Sequence, residues 1–377
     1  MNVLMISMDA SLLTDSIGNA RTRHEFYAEQ LGHLSLAVCT RRNLPAYESP
    51  RVAARPTRSR STLHYLIDGY RLGLAFHQEC PVDVIAAQDP FLTALIGLTL
   101  RWRLHVPLII QDHSCVVDNP HFAAEQPRNR LLQRLARWTL RRADAIRAVN
   151  TGERRACLRH GIPSERVCVI PVAPALAQFS PADNIPDPPT ALWVGRVVAF
   201  KNVPLLLRAF ARVHAALPHA RLILAASVEQ DAARDHLLAH IRSLGLEGVV
   251  EPRWSVAHVD LPALHHQATV YAHASNYEGF GLVLAEAAAS RLPAVTTDTD
   301  GARDIVIDGE TGLIVPVGDE AALAGALIAL LSDPSRARDM GRRARERVCD
   351  QFDEDRLLRA WVAMIRAVTE GKPPCVS

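Results

Sequence analysis

The sequence predicts an α/β protein built from two doubly wound, mostly parallel sheets, and three observations predict it. Short apolar runs of strand length alternate with helical stretches of roughly 10–15 residues along nearly the whole chain. The segment 179–190, FSPADNIPDPPT, interrupts that alternation with four prolines and no periodicity, as a connection between domains does. A length of 377 residues exceeds what one hydrophobic core usually serves. The expected division is a first domain over 1–180, a linker over 181–190, a second domain over 191–352, and a C-terminal helix and tail over 353–377.

In the first half, Val3–Met8 and Leu34–Val38 read as strands, separated by the polar loop around Gly18 and a helix with Phe26, Tyr27 and Leu31 on one face. Arg41–Ser61 is rich in Pro and Arg and reads as an exposed loop. Tyr65–Phe76 and Phe91–Leu104 read as helices, and Val82–Ala87, Pro107–Ile110, Ala145–Val149 and Val167–Val172 as strands. Cys115–Gln126 carries no readable pattern. After the prolines, Leu192–Val194, Arg221–Ala225, Thr269–Ala272, Pro293–Thr297 and Leu313–Val315 are strands. Pro204–Ala216 and Ala232–Leu244 are helices, and Asp353–Val368 ends the pattern as a helix with Leu357, Leu358, Trp361 and Ile365 on one stripe.

Composition narrows the class. Mean hydropathy is +0.03, and no apolar run approaches the roughly 18–20 residues of a membrane span. The start, MNVLMISMDASLL, lacks a basic region and a small-residue cleavage site and reads as a first buried strand. Seven scattered cysteines without metal spacing are expected to be reduced thiols of a cytoplasmic protein. The net charge of +2 hides an asymmetry: 22 Arg and no Lys face 15 carboxylates through Ser180 (+7), and 20 cations face 25 carboxylates beyond it (−5). Much of the excess lies in Arg128, Arg130, Arg134, Arg137, Arg141 and Arg142, interleaved with Leu131, Leu132, Leu135 and Trp138. That pattern fits either a solvated helix face or peripheral contact with the anionic inner face of a membrane. No nucleic-acid-binding motif accompanies the charge.

Candidate chemistry concentrates in the second half. In Ala272–Arg291, AHASNYEGFGLVLAEAAASR, a strand leads into a Glu-Gly-Phe-Gly loop and an Ala-rich helix opening near Leu282. Gly279 and Gly281 allow the backbone close to a ligand, and the helix N-terminus suits a phosphate or diphosphate. Glu278 and Glu286 can accept hydrogen bonds from hydroxyls. An ordinary strand–loop–helix corner has the same pattern. Gly195–Arg196 ends a strand, and Lys201 follows; with only two lysines beside 40 arginines, a lysine in this setting is a signal. Together Arg196 and Lys201 can hold a pyrophosphate, or be two surface cations of a loop. His113, just past a strand end, can hydrogen-bond a sugar hydroxyl or cap its loop. The adjacent His265 and His266 read as surface residues. No nucleophile elbow, phosphate-binding Walker loop or metal-ligand spacing occurs.

In this order, the glycine loop, the histidine, Gly-Arg-x4-Lys and Glu-Gly-Phe-Gly-x4-Glu resemble glycosyltransferase family 4 of the GT-B fold. Gly301–Val306 and Asp308–Leu313 add to the resemblance, which covers nearly the whole chain and is strongest from Ala191 to Leu331. It implies two Rossmann-like domains facing a central cleft, with the C-terminal helix returning to the first. It further implies a metal-independent, retaining glycosyltransferase using a nucleoside diphosphate sugar as donor and no cofactor. Arg196 and Lys201 would bind the diphosphate, Glu286 the ribose hydroxyls and Glu278 those of the transferred sugar. Backbone amides of Phe280, Gly281 and Leu282 would face the distal phosphate and sugar, Gly18 would line the phosphates, and His113 would lie near the donor sugar. Acceptor choice would rest with the first domain, whose basic helix favours a lipid-linked or other anionic acceptor, as in polysaccharide or glycolipid assembly. The chain departs from the family in having one glycine at the N-terminal loop, Ala225–Ala226–Ser227 at a strand end, Trp254 where glycine is common, and Asp304 in place of Glu. Two other readings share the fold: a sugar-nucleotide epimerase, which needs more acid/base groups than His113, and a catalytically silent sugar-nucleotide-binding protein.

Overall fold

A computed structural model describes residues 1–14, 20–113, 115–181, 186–228 and 231–375. The chain forms two compact units, Met1–Val172 with Asp355–Ser377, and Ala173–Glu354. The first unit contains an eight-stranded sheet: β1 (Asn2–Ser7), β2 (His33–Val38), β3 (Tyr47–Glu48), β4 (Val52–Pro56), β5 (Val84–Ala87), β6 (Leu108–Asp112), β7 (Ala145–Ala148) and β8 (Val167–Val169). Their order is β3-β4-β2-β1-β5-β6-β7-β8, and all neighbours are parallel except β3 with β4. The strands read as continuous apolar runs because helices cover both faces of a parallel sheet, so β1, β5 and β6 are buried at every position.

The second unit holds β9 (Thr190–Arg196), β10 (Arg221–Ser227), β11 (Val250–Trp254), β12 (Val270–His273), β13 (Ala294–Thr297) and β14 (Gly312–Val315). Their order, β11-β10-β9-β12-β13-β14, reverses direction between β9 and β12. At such a switch point the loops leaving neighbouring strands diverge to opposite faces, and the gap at their carboxyl ends admits a ligand. The core between sheet and helices is Trp193, Leu206, Phe210, Leu224, Val270, Leu323 and Leu327, all but fully buried.

Several expectations are corrected. Arg41–Ser61 is not merely a loop: it contains β3 and β4, and Val52–Pro56 pairs with β2 from Leu34 to Val38. The proline that disguised the strand is its last residue, beyond Ala53 and Ala54 where β3 pairs, so its missing N–H is tolerated. Cys115–Gln126 includes a helical turn, Pro120–Glu125, capped by the Asn119 side chain. The units divide at Val172/Ala173, ahead of the proline-rich stretch, because Phe179 is buried in the second unit against the rings of His258 and His265. His265 itself is buried, hydrogen-bonded to Ser290 and pushed down to about 3 by burial, whereas His266 is exposed. Cys168 and Cys375 form a disulfide across a separation of 207 residues, in place of the expected thiols. No local spacing shows that pairing: the tail after the last helix brings the two Cα atoms to 5.3 Å, within the span of a bridge.

That last helix, Glu354–Thr369, belongs to the first unit. Its Trp361 is buried beneath the Arg147 guanidinium, 5.2 Å from the ring centroid, while Arg147 donates to the carbonyls of Ile170 and Pro171 and to Gln111 Oε1. A buried cation is tolerated only with such hydrogen bonding from each guanidinium nitrogen. Among the described residues no helix is long and apolar enough to cross a membrane. Trp361→Ala is expected to cost about 3–5 kcal/mol, the range for large-to-small aromatic substitutions, as measured by denaturant melts of the first unit's transition.

Candidate active site

The switch point of the second sheet carries the chemistry that the sequence singled out. Arg196 is the last residue of β9 and is exposed there. A single 3₁₀ turn, Ala199–Lys201, then brings Lys201 back to the helix Val203–Ala216. Asn202 adopts a left-handed conformation, φ 46°, and caps that helix by accepting from the Leu205 amide. Across the reversal, β12 delivers the Glu278 loop. The two loops are zipped together: the Asn276 amide donates to the Phe200 carbonyl at 2.7 Å, Asn202 Nδ2 donates to Asn276 Oδ1 at 2.9 Å, and the rings of Phe200 and Tyr277 stack at 4.9 Å. As a result Lys201 Nζ forms a partly buried ion pair with Glu278 Oε2.

Glu278 is thereby committed to its ionised form. Burial opposes ionisation, but the Lys201 ammonium and the His273 hydrogen bond outweigh it and hold the carboxyl down at about 2. His273 ends β12 and is also buried; its Nε2 lies 3.2 Å from the same Oε2. On the other face of the loop, Gly281 turns the chain at φ 87° and starts the helix Leu282–Ala289 without a side-chain cap. Any residue with a Cβ would be strained there, and the added atom would press on Leu284 at 3.1 Å. Leu282 opens the helix and is partly exposed, whereas the Phe280 ring is buried against Phe352. Gly301 explains the Gly-Ala-Arg-Asp motif: a Cβ there would strike the carbonyls of Gly279 and Phe280 at 2.6 and 2.8 Å. The loop's backbone is therefore wedged from behind. The helix N-terminus it presents favours negative charge.

Glu286 lies inside that helix, buried, and accepts from His258 Nε2 at 3.0 Å. His258 Nδ1 in turn lies 3.0 Å from Gln178 Nε2. The Glu286 hydrogen bond raises the His258 pKa above its ordinary value, against the lowering effect of burial. Trp254 is half-buried at the end of β11, packed against the core and covered by Arg234.

In the first unit, His113 follows β6, and burial, aided by the charges of Arg147 and Arg23, pushes its pKa down to about 3. It is therefore neutral at pH 7. Its Nε2 is buried with no hydrogen-bond partner among the described residues. Gly18 lies outside the described residues.

The structure thus brings Lys201 and Glu278 together and gives Glu286 a partner, none of which spacing alone contains. It also adds residues that the sequence reading passed over: His273, His258, and Tyr271, whose hydroxyl bridges the Val194 backbone at 3.2–3.3 Å. A histidine closing an otherwise apolar strand, Val270–His273, was the available signal.

The His258–Glu286 pair generates a prediction with a definite sign. A folded-state pKa raised above about 6.5 means that the pair's stabilisation is complete below that pH and is lost as pH rises through the folded value. NMR titration is expected to place His258 above the ordinary imidazole value, and Glu286→Gln to return it to or below that value. An unshifted His258 in the parent protein would refute the pairing.

Comparison with known proteins identifies the family and the fold. Residues 177–347 match the family described as glycosyl transferases group 1, and residues 9–173 match the glycosyl transferase 4-like domain. D-inositol 3-phosphate glycosyltransferase of Kineococcus radiotolerans is 33% identical over 302 residues, covering 72% of this chain and 69% of that protein. Glycogen synthase of Mycobacterium tuberculosis is 28% identical over 298 residues, covering 77% and 70%. Among solved structures, sucrose-phosphate synthase from Thermosynechococcus elongatus superposes with a TM-score of 0.85 at 24% identity, over 99% of this chain and 100% of that one. The Anabaena protein HepE, solved with UDP-glucose, gives 0.74 at 18% identity, over 97% and 99%. With two Rossmann-like parallel-sheet units of the GT-B kind and both family domains matched along its length, the chain belongs to the group 1 glycosyltransferases.

Proposed function

We propose that this glycosyltransferase transfers a sugar, with retention of anomeric configuration and without a metal ion, from a nucleoside diphosphate sugar to an acceptor hydroxyl. The observation that carries the reading is the convergence of Lys201 and Glu278 at the switch point, beside Arg196 and the uncapped N-terminus at Leu282. Cations and amides gathered there suit a departing diphosphate. They strengthen their hold as the bond to the sugar breaks, which is when stabilisation accelerates the reaction. In this reading Arg196, Lys201 and the amides of Phe280, Gly281 and Leu282 meet the diphosphate, with Gly18 and Gly279 lining it. Glu278 accepts from hydroxyls of the transferred sugar and Glu286 from the ribose. His113, neutral, is assigned to the donor sugar on the family resemblance alone.

The acceptor oxygen bonds to the anomeric carbon on the face from which the diphosphate leaves. The bond from that carbon to the phosphate oxygen breaks, and that oxygen takes the acceptor's proton. No protein nucleophile is required. The oxocarbenium-like character of the sugar at the midpoint matches that of glycoside cleavage. HepE was solved with UDP-glucose, which supports a sugar nucleotide as the donor class.

A second observation favours a membrane-facing acceptor. On the helix Pro127–Leu140, Arg128, Arg130, Arg134 and the large apolar Leu131 and Trp138 are all exposed, with Arg142 over the Trp138 ring at 4.0 Å. Arg101 donates to the Arg142 carbonyl at 3.2 Å, joining the end of this helix to that of Leu92–Leu104, where Trp102 is 59% exposed. Indole rings and arginines displayed together suit the headgroup layer of an anionic bilayer, here the inner leaflet, with a lipid-linked acceptor of polysaccharide or glycolipid assembly.

Two outcomes are expected. In a screen of sugar nucleotides for diphosphate release, Lys201→Ala lowers kcat by roughly 10²–10³ with a chelator present throughout, whereas Glu286→Ala mainly raises the donor KM. Turnover unchanged within about twofold in Lys201→Ala, or epimerised donor without acceptor, counts against the reading. In sedimentation, the protein binds vesicles containing phosphatidylglycerol and not phosphatidylcholine alone. Each of Arg130→Glu and Arg134→Glu weakens binding by at least about fivefold, from roughly 1 kcal/mol per basic residue.

A further inference from the structure

The environment of His273 shows a feature of the site that the assigned roles leave unexplained. Burying an imidazole at the end of an apolar strand is unfavourable unless both nitrogens are satisfied. Here they are. Nδ1 lies 2.9 Å from Thr296 Oγ1 on the neighbouring β13, and Nε2 lies 3.2 Å from Glu278 Oε2 and 2.9 Å from Ser275 Oγ. The arrangement dictates the proton's position. An ionised carboxylate only accepts, so the contact with Glu278 places the hydrogen on Nε2 and makes Nδ1 the acceptor; the Thr296 hydroxyl, which also lies 3.2 Å from the Thr297 carbonyl, then turns its one hydrogen to Nδ1. Burial keeps the ring neutral, so the imidazole carries a single proton, on Nε2, and the hydrogen toward Nδ1 is that of the Thr296 hydroxyl.

Lys201 and His273 reach the same carboxylate oxygen, Oε2. Oε1 takes neither. Lysine alone would not set this choice, because its ammonium is a point charge on a flexible stem and can follow either oxygen as the carboxylate turns. The imidazole cannot follow: it is held in the sheet by Thr296. We propose that His273 is a positioning residue that locks the plane of Glu278, assigns Oε2 to the protein and reserves Oε1 for the donor sugar. The reserved edge is a fixed, ionised acceptor. It therefore selects a glycosyl group that presents a hydroxyl or amino hydrogen there, and rejects a uronate, whose carboxylate would meet it with like charge. This inference rests on the placement of the donor sugar at Glu278 given under Proposed function.

The test compares His273→Gln, whose amide nitrogen can reach the place of Nε2, with His273→Asn and His273→Leu, which cannot. Binding is titrated with UDP-glucose, UDP-N-acetylglucosamine, GDP-mannose and UDP-glucuronate, and with UDP and GDP alone. The Asn and Leu variants are expected to lose about 10- to 100-fold in affinity for the neutral sugar nucleotide that binds the parent best, the range for removing a hydrogen bond to a charged group. Affinity for the bare nucleoside diphosphate stays within about twofold, and the Gln variant recovers most of the loss. UDP-glucuronate binds the parent no better than UDP. Independently of any ligand, long-range ¹H–¹⁵N NMR should find His273 protonated on Nε2 and not on Nδ1. An Nδ1–H tautomer, equal losses for the sugar nucleotide and the bare diphosphate, or an Asn variant that matches the parent overturns the proposal. If Glu278→Gln also leaves sugar-nucleotide affinity unchanged, or if no sugar nucleotide binds the parent, the fault lies in the placement of the sugar and not in the role of His273.

Discussion

The partly buried pairing of Lys201 with Glu278 is the constraint on which the architecture of the second sheet's switch point turns. Removing an ammonium and a carboxylate from water costs several kcal/mol each, and their attraction repays that only when geometry is good and remaining polar positions are filled. The chain meets the condition by construction. The loops after β9 and β12 leave the sheet where the strand order reverses, and Asn202, Asn276, Phe200 and Tyr277 bind them edge to edge. His273 supplies the second donor to Glu278. The pair is a poor device for stability alone. It is a good one for holding opposite charges ready at the place that, under the proposed function, receives a charged ligand.

Around that pair the backbone is made unyielding. Gly281 accepts a left-handed turn, Phe280 anchors the loop against Phe352, and Gly301 lets the next helix press on the loop's carbonyls. Each device removes a freedom that the Leu282–Ala289 N-terminus would otherwise spend when a ligand arrives. Preorganised amides need not reorient as charge develops, which is why such sites favour the transition state over the ground state. The first unit uses a comparable economy around Arg147, whose guanidinium donates to two backbone carbonyls and Gln111 while its face covers Trp361. That one cation ties β7 to the stretch after β8 and to the C-terminal helix.

Much of this was legible in the residues. Alternating apolar runs and helices reported two parallel sheets, since strands buried on both faces show no alternation of their own. The rarity of lysine drew attention to Lys201, and the Glu-Gly-Phe-Gly loop to Glu278 and Glu286. Less legible was the strand Val52–Pro56, because it is short and ends in Arg and Pro, with no apolar run to set it apart from the loop around it. His265 was misplaced as a surface residue, since burial of a histidine depends on which partner rings the fold brings to it, here Phe179 and Tyr271.

By itself, the sequence determined the fold class, the family and the segments that carry charge and glycine, because these follow from short-range periodicity and from residue types at fixed spacing. Tertiary structure decided the partnerships. Lys201 and Glu278 are 77 positions apart, His273 and Thr296 are 23 apart, and Cys168 and Cys375 are 207 apart. None of these pairs shares a helix turn or a strand. Each meets only because sheet order places particular strand ends side by side, and hydrogen bonds, ion pairs and protonation states depend on distance in space.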